Sequence, residues 1–483
     1  MKINMNKSVR LIFTYLTLIG TKRIFSLFIA MNVCLNYDTG VIPAALLAIG
    51  DELHISQEQI AYLGSIVYFG LSFSTIFASY LFKILPAKWI IVVMVMSNAA
   101  AWWHFAVSEN LYVLYLMRFI LGLTQAFVVI HAPVWTNEYS PPNASSRWLA
   151  MLHSAVVFGI IGGYILTSIT VNYLSSYLSW RAPIYLQAVW QFICAFCFMF
   201  FKSEHIEISK NRFGSTLIDL GIESSSGNKR AMNINNTGLS YLFLSYRYLT
   251  HNSVFMFVTL ALCSVYFVVS GIQFWTTAYF LTVLQMNPSL VMLFFSFWSI
   301  TGPLAGVSLG SYVIDLNGGY KGESMLSAIK ICTIFGIMAC IFSIPIGVSV
   351  NALYVVPSLW FLLFFGAALI PACTGVIVNS VPKSLQSSSS SFSQLIFNLG
   401  GYFLAPIASA YFMESFDDKI LGLAWGYRTI LYWSLVALVF IIWAWIAISK
   451  QIQQFVQSNH EEQMHEKVIQ LEILRRRAQS LSL

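Results

Sequence analysis

Charge is scarce in this chain. Asp, Glu, Lys and Arg make up only 9% of its 483 residues, against 58% hydrophobic. A soluble protein of this length needs far more charge to cover its surface, so the composition excludes a water-soluble globular protein. The net charge of +7 does not point to nucleic acid, because the basic residues fall in loops and tails and not on a soluble domain. The seven cysteines all lie inside apolar runs, which excludes an extracellular disulfide framework. Cys194 and Cys197 form an i, i+3 pair with no further ligands, so neither a metal nor any other cofactor is expected. Paired His/Asp or Ser/His side chains at hydrolase or acyltransferase spacing are also missing, and an enzyme is not expected.

What the chain has is apolar length. Twelve stretches approach the ~20 residues that cross a bilayer: 24–49, 60–82, 88–107, 110–137, 148–172 and 181–201, then 251–283, 289–314, 325–349, 352–380, 392–413 and 423–449. The expected organisation is a cytosolic N-terminal segment (1–23), a six-helix bundle (24–201), a cytosolic linker (202–250), a second six-helix bundle (251–449) and a helical tail (450–483). The apolar residues 9–20 are followed at once by Lys22 and Arg23 and read as a separate interfacial helix. The linker is rich in Ser, Asn and Gly and reads as a flexible tether. The tail ends in Arg475, Arg476 and Arg477, suited to anionic lipid or to solvent.

Basic loops set the orientation. Lys22, Arg23, Lys83, Lys88, Arg147, Lys202, Lys321 and Lys383 fall on one side, and Asp51, Glu52, Glu58, Glu109, Glu414, Asp417 and Asp418 on the other, with Arg181, Lys419 and Arg428 as exceptions. Both termini are therefore expected in the cytosol. The host membrane is expected to be the plasma membrane or that of an endosome, lysosome or vacuole.

Two charges break the apolar pattern. Asp38 lies about 15 Å below the outer end of the first span and Arg118 about 12 Å below that of the fourth, at 1.5 Å per residue. An intramembrane charge is costly and ordinarily faces a partner or a wet cavity on a transport path. An acid beside a guanidinium stays ionised, and separating the two favours its protonation. That pair can serve proton coupling at Asp38 and anion binding at Arg118, or can be a static bridge locking two helices. Gln125 lies on the Arg118 face two turns on. His131, Trp135 and His153 follow; a buried histidine is more often a bonded core residue than a relay. Gln273, Thr276, Thr277, Thr374 and Asn379 can line the second half of a cavity, with Asn36, Tyr37, Tyr266 and Trp275 as candidate substrate contacts.

Gly306 and Gly310, four apart, permit close helix contact. They open the run Gly310-Ser-Tyr-Val-Ile-Asp315-Leu-Asn-Gly318-Gly319-Tyr320-Lys321. Gly159, Gly162 and Gly163 form a second small-residue seam. Glu138 and Arg147 place opposite charges at the inner ends of the fourth and fifth spans, and with Asp315 and Lys321 they are the candidate gating residues.

The Gly306–Lys321 run resembles the loop signature of the major facilitator superfamily; the equivalent turn in the first half has Lys83 where the acid belongs. More narrowly, Asn36-Tyr37-Asp38 with Gly40 and Pro43, Arg118-Phe-Ile-Leu-Gly122 with Gln125, and Asn398-Leu-Gly400-Gly401-Tyr402 with Pro406 resemble its spinster branch. That resemblance implies an all-α fold of two pseudo-symmetric six-helix bundles with a site at mid-membrane. It also implies export or release of lysolipids, in some members proton coupled through an acid in the first helix and an Arg-Glu pair in the fourth. Here Gln125 stands in place of that glutamate, and Thr39 in place of the usual arginine. The expected activity is secondary active or facilitative transport of a small or amphiphilic organic solute, a lysolipid or organic anion among the candidates, by a monomer in the lipid bilayer. A scramblase or a non-transporting receptor of the same fold is the alternative.

Overall fold

The computed structural model describes residues 7–141, 145–207, 245–320, 322, 324–382 and 385–480. The first six long helices are α1 (Lys7–Leu53), α2 (Gln57–Ile84), α3 (Ala87–Val107), α4 (Leu111–Tyr139), α5 (Ser145–Tyr173) and α6 (Ala182–Met199). The second half begins with α7 (Ser253–Thr282), α8 (Pro288–Leu316) and α9 (Ser324–Val348). Its tenth crossing is divided at Leu369 into α10 (Ala352–Ala368) and α11 (Ile370–Asn379). The eleventh is α12 (Gln386–Ile396), a π-helical turn (Phe397–Phe403) and α13 (Leu404–Glu414). The last helix, α14 (Lys419–Ser480), runs on from its span into the tail. Eleven helical stretches are long and apolar enough to cross a membrane among the residues searched. The remaining crossing is α2, whose 28 residues span about 42 Å at 1.5 Å each.

Local sequence sets the helix starts. Ser56 and Gln59 close a capping box at α2, and Asn110, Asn252, Asn287 and Asn351 each cap the helix that follows, satisfying N–H groups that would otherwise lack partners. One boundary differs from expectation: residues 9–20 are not a separate element, because α1 is unbroken from Lys7 to Leu53. Gly20, Lys22 and Arg23 do not interrupt a helix, since long basic side chains can reach the interface from within one.

Both glycine seams bring backbones together. A Cβ on Gly306 or Gly310 would lie 2.1 and 2.0 Å from the Phe364 and Ala368 carbonyl oxygens of α10. One on Gly159 or Gly163 would lie 2.3 and 2.1 Å from those of Val33 and Tyr37 on α1. Gly162 takes no part in that seam; it faces open space.

With twelve crossings among the described residues, the start of α1 and the end of α14 lie on one face, here the terminal side. On the far side a single hydrophobic core runs through both bundles, from Val41, Leu63 and Trp102 to Trp275, Phe280 and Tyr427. On the terminal side the cores are separate. One holds Phe28, Trp135 and Phe198 of the first bundle, the other Phe255, Cys332 and Val376 of the second.

Candidate functional site

Asp38 and Arg118 meet where the shared core ends. An Arg118 guanidinium nitrogen donates to Asp38 Oδ2 at 2.8 Å, and the two residues are 2% and 3% exposed respectively. Helix α4 packs tightly on α2, because Gly122 lies against the Val67 carbonyl. That proximity lets Arg118 Nε donate to the Leu63 carbonyl at 2.8 Å and its other terminal nitrogen to that of Gly64 at 3.2 Å. Its guanidinium also lies 5.5 Å from the Trp102 ring centre. Each nitrogen of Arg118 thus makes one hydrogen bond, using three of its five N–H donors. The acid is held less completely: Asp38 Oδ1 is buried without a hydrogen-bond partner.

Beside the pair is a cavity of about 30 Å³ that draws walls from both bundles. Thr39 and Tyr68 come from the first, Ser270, Gln273, Phe274 and Pro406 from the second. Its volume exceeds the roughly 10–15 Å³ that one water needs. A cavity of this size holds water and is far smaller than a site for an organic solute.

The far side is shut by contacts between bundles. Phe274 packs so close to Gly64 that a Cβ there would meet its ring at 2.1 Å. The Tyr164 and Thr277 hydroxyls hydrogen-bond at 2.8 Å, and the Tyr164 ring stacks on Phe295 at 3.8 Å. Glu414 accepts from the Glu58 backbone N–H at 3.0 Å, and Tyr173 bonds Ser289. At cavity level Tyr68 stacks on Tyr402, which belongs to the π-helical turn, with centroids 4.9 Å apart. The opposite side has no equivalent shared core among the described residues.

Of the residues singled out from sequence, Asp38, Arg118 and Gln273 converge on this cavity. Gln125 does not reach it; Nε2 donates to the Leu35 carbonyl at 2.9 Å and ties α4 to α1. Asn36 bonds its own helix, at the Asn32 carbonyl. Tyr37 turns its ring toward Gly163 of α5. Trp275 is 1% exposed against Phe274, and the Thr276 hydroxyl bonds the Ile272 carbonyl and Tyr427. Both belong to the packing of α7 and do not line the cavity. Asp315 is exposed, and its turn is braced instead by Tyr320 against Gly375. Glu138 is half-buried; the Arg147 side chain and Lys321 lie outside the described residues. His131 is a bonded core residue, its Nε2 3.2 Å from the Ile206 carbonyl.

Sequence reasoning missed Tyr68, Ser270 and Phe274, and named Pro406 only for its motif. These are ordinary residues of apolar helices, and no single-sequence pattern marks them. The one usable signal was the glycine pair before Tyr402, since π-turns gather at functional sites.

A family model described as Major Facilitator Superfamily matches residues 27–401. Among curated proteins, the galactose-proton symporter of Escherichia coli (strain K12) is 28% identical over 129 residues, 26% of this chain and 28% of that protein. Facilitated glucose transporter member 6 of Homo sapiens is 27% identical over 137 residues, 28% of this chain and 27% of that one. Probable polyol transporter 4 of Arabidopsis thaliana is 30% identical over 153 residues, 31% and 28% of the two chains. The chain therefore spans little more than a quarter of the length of these relatives. Among solved structures, an inward-facing bacterial homologue of the human lysosomal transporter spinster aligns with a TM-score of 0.65 at 14% identity, over 88% of this chain and 97% of that one. The nucleoside transporter NupG aligns with a TM-score of 0.65 at 14% identity, over 88% and 99%. At such identity these structures speak for the fold alone.

Proposed function

The chain belongs to the Major Facilitator Superfamily, and we propose from that premise that it is a secondary transporter moving a small organic solute by alternating access, with Asp38 as its proton site. The observation that carries this reading is the half-satisfied carboxylate. Asp38 Oδ2 is held by Arg118 while Oδ1, without a partner, belongs to a residue lining a cavity between the bundles. A proton delivered to Oδ1 removes the charge that balances Arg118, and a buried guanidinium without its counter-ion is strongly disfavoured. Protonation of Asp38 thereby acts on the helices that carry the pair. Gln125 cannot ionise, so a single titrating site serves the cycle.

Basic loops put the terminal side in the cytosol. The arrangement is then closed to the outside, and among the described residues the bundles share no core on the cytosolic half. For the substrate, Asp38 already balances the Arg118 charge and three of the five guanidinium N–H donors are bonded, which disfavours an organic anion. The remaining cavity groups are neutral hydroxyls and an amide, from Thr39, Tyr68, Ser270 and Gln273. They suit a neutral, hydroxyl-bearing solute, the class named for the symporter, glucose and polyol relatives. A lysolipid, whose headgroup is charged, fits this polar lining less well.

Proteoliposomes test both points. Labelled galactose, a polyol, an organic anion and a lysolipid are offered with and without an inward proton gradient. Gradient-driven accumulation of a neutral polyhydroxy solute is expected. Asp38→Asn should abolish that accumulation while leaving exchange between equal pools. Unchanged accumulation in Asp38→Asn would remove the proton role, and preference for the anion or lysolipid would remove the substrate reading.

A further inference from the structure

A second cavity is much larger than the central one. A groove of about 780 Å³ opens on the terminal side, between residues 248–257 and the end of the α14 span. Its first wall is well anchored. Residues 245–251 are helical, Leu249 is fully buried, and Asn252 Nδ2 donates to the Ser380 carbonyl at 2.9 Å. The His251 ring is held by a 2.7 Å bond from Nδ1 to the Arg247 carbonyl.

Polarity changes along the groove in the way a bilayer interface changes. Val254, Phe257 and Trp443 line the part nearer mid-membrane, with the Phe257 and Trp443 rings edge to face at 5.6 Å. His251, Lys450 and Gln451 line the part toward the terminal side. Arg247 is exposed one turn before His251 on the same short helix. No Asp or Glu is among the groove's lining residues. The groove is thus apolar at depth, basic at the interface, and of ligand size. Aromatic residues at this level are typical of membrane interfaces.

We propose that this groove binds an anionic phospholipid of the leaflet on the terminal side, its headgroup at Lys450 and His251 and an acyl chain along Phe257 and Trp443. A zwitterionic lipid offers the same chains but no net charge for a lining without acids to balance. The site is separate from the Asp38 cavity and does not depend on what the protein transports. Because it joins the start of α7 to α14, a lipid there would brace the second bundle against itself.

Native mass spectrometry of the full chain in detergent tests this, with phosphatidylglycerol and phosphatidylcholine added in equal amounts. Preferential retention of phosphatidylglycerol is expected. Lys450→Gln should reduce that preference about five-fold, the value of one basic residue near an anionic lipid surface, and Lys450→Arg should restore it. Lys450 is exposed, so its substitution leaves the fold intact. Trp443→Ala should weaken retention of both lipids. Equal retention of the two lipids by the wild-type chain, or an unchanged preference in Lys450→Gln, overturns the proposal. So does loss of phosphatidylglycerol to millimolar inorganic phosphate, because the site would then hold a free anion and not a lipid.

Discussion

The far side and the terminal side are built from the same helices but packed under different rules. On the far side one core passes through both bundles, and α2, α5, α7, α8 and α13 exchange hydrogen bonds and ring contacts across the divide. On the terminal side each bundle keeps a core of its own. A shared core has to be broken for the far side to open, whereas separate cores let the terminal side part while each bundle stays folded. The ion pair sits at the edge of the shared core. A change in its charge therefore acts where the two regimes meet.

The largest expected effect comes from breaking that boundary. Arg118→Met leaves Asp38 buried without its counter-ion, and removing one member of a buried pair costs about 3–5 kcal/mol. The melting temperature in detergent should fall steeply. Asp38→Asn should cost less, because Arg118 retains the Leu63 and Gly64 carbonyls. The double substitution Asp38→Asn with Arg118→Met should recover part of the loss. Equal melting temperatures for Arg118→Met and the wild type would mean that the pair has no part in holding α1, α2 and α4 together.

That pair was legible in the sequence because depth along a helix is a one-dimensional quantity. Counting residues from the ends of two apolar runs was enough to put Asp38 and Arg118 level. The crossings were legible for the same reason. Rotation about a helix axis is set by partners that one sequence does not name, and the errors gather there. Trp275 and Thr276 look like substrate contacts beside Gln273, yet α7 turns them into packing against Phe274 and Tyr427. Gln125 was placed on the correct face of α4, but its partner is a backbone carbonyl of α1. Tyr68 carried no mark at all, since its meaning depends on Tyr402 arriving from the other bundle.

The next effect in size concerns the far-side seal. Gly64→Val forces the Phe274 ring out of its place, because even a Cβ would come within 2.1 Å of it. Overpacking the shared core should cost about 1–3 kcal/mol, and the population should move toward a conformation open on the far side. Spin-label distances between the far-side ends of α5 and α8 should lengthen. If they do not, the seal is not what holds that side closed.

The smallest effects sharpen the comparison most, because the same substitution can be made in each region. Tyr164→Phe removes a hydroxyl bonded across the bundles to Thr277 at 2.8 Å. Tyr139→Phe removes one bonded to the Glu207 carbonyl at 2.6 Å, on the segment after α6 whose Ile206 packs into the first bundle's core. Each bond contributes about 0.5–1.5 kcal/mol, so each change is small and similar in energy. Their consequences differ. Losing the Tyr164 bond should raise the far-side-open population by roughly 2- to 10-fold, the Boltzmann equivalent of that energy. Losing the Tyr139 bond should lower the melting temperature by a few degrees and leave the spin-label distances unchanged, because both partners move together as one bundle. If Tyr139→Phe shifts the distances as much as Tyr164→Phe does, the terminal side is coupled across the divide after all. The separate cores would then be a description of packing without mechanical meaning.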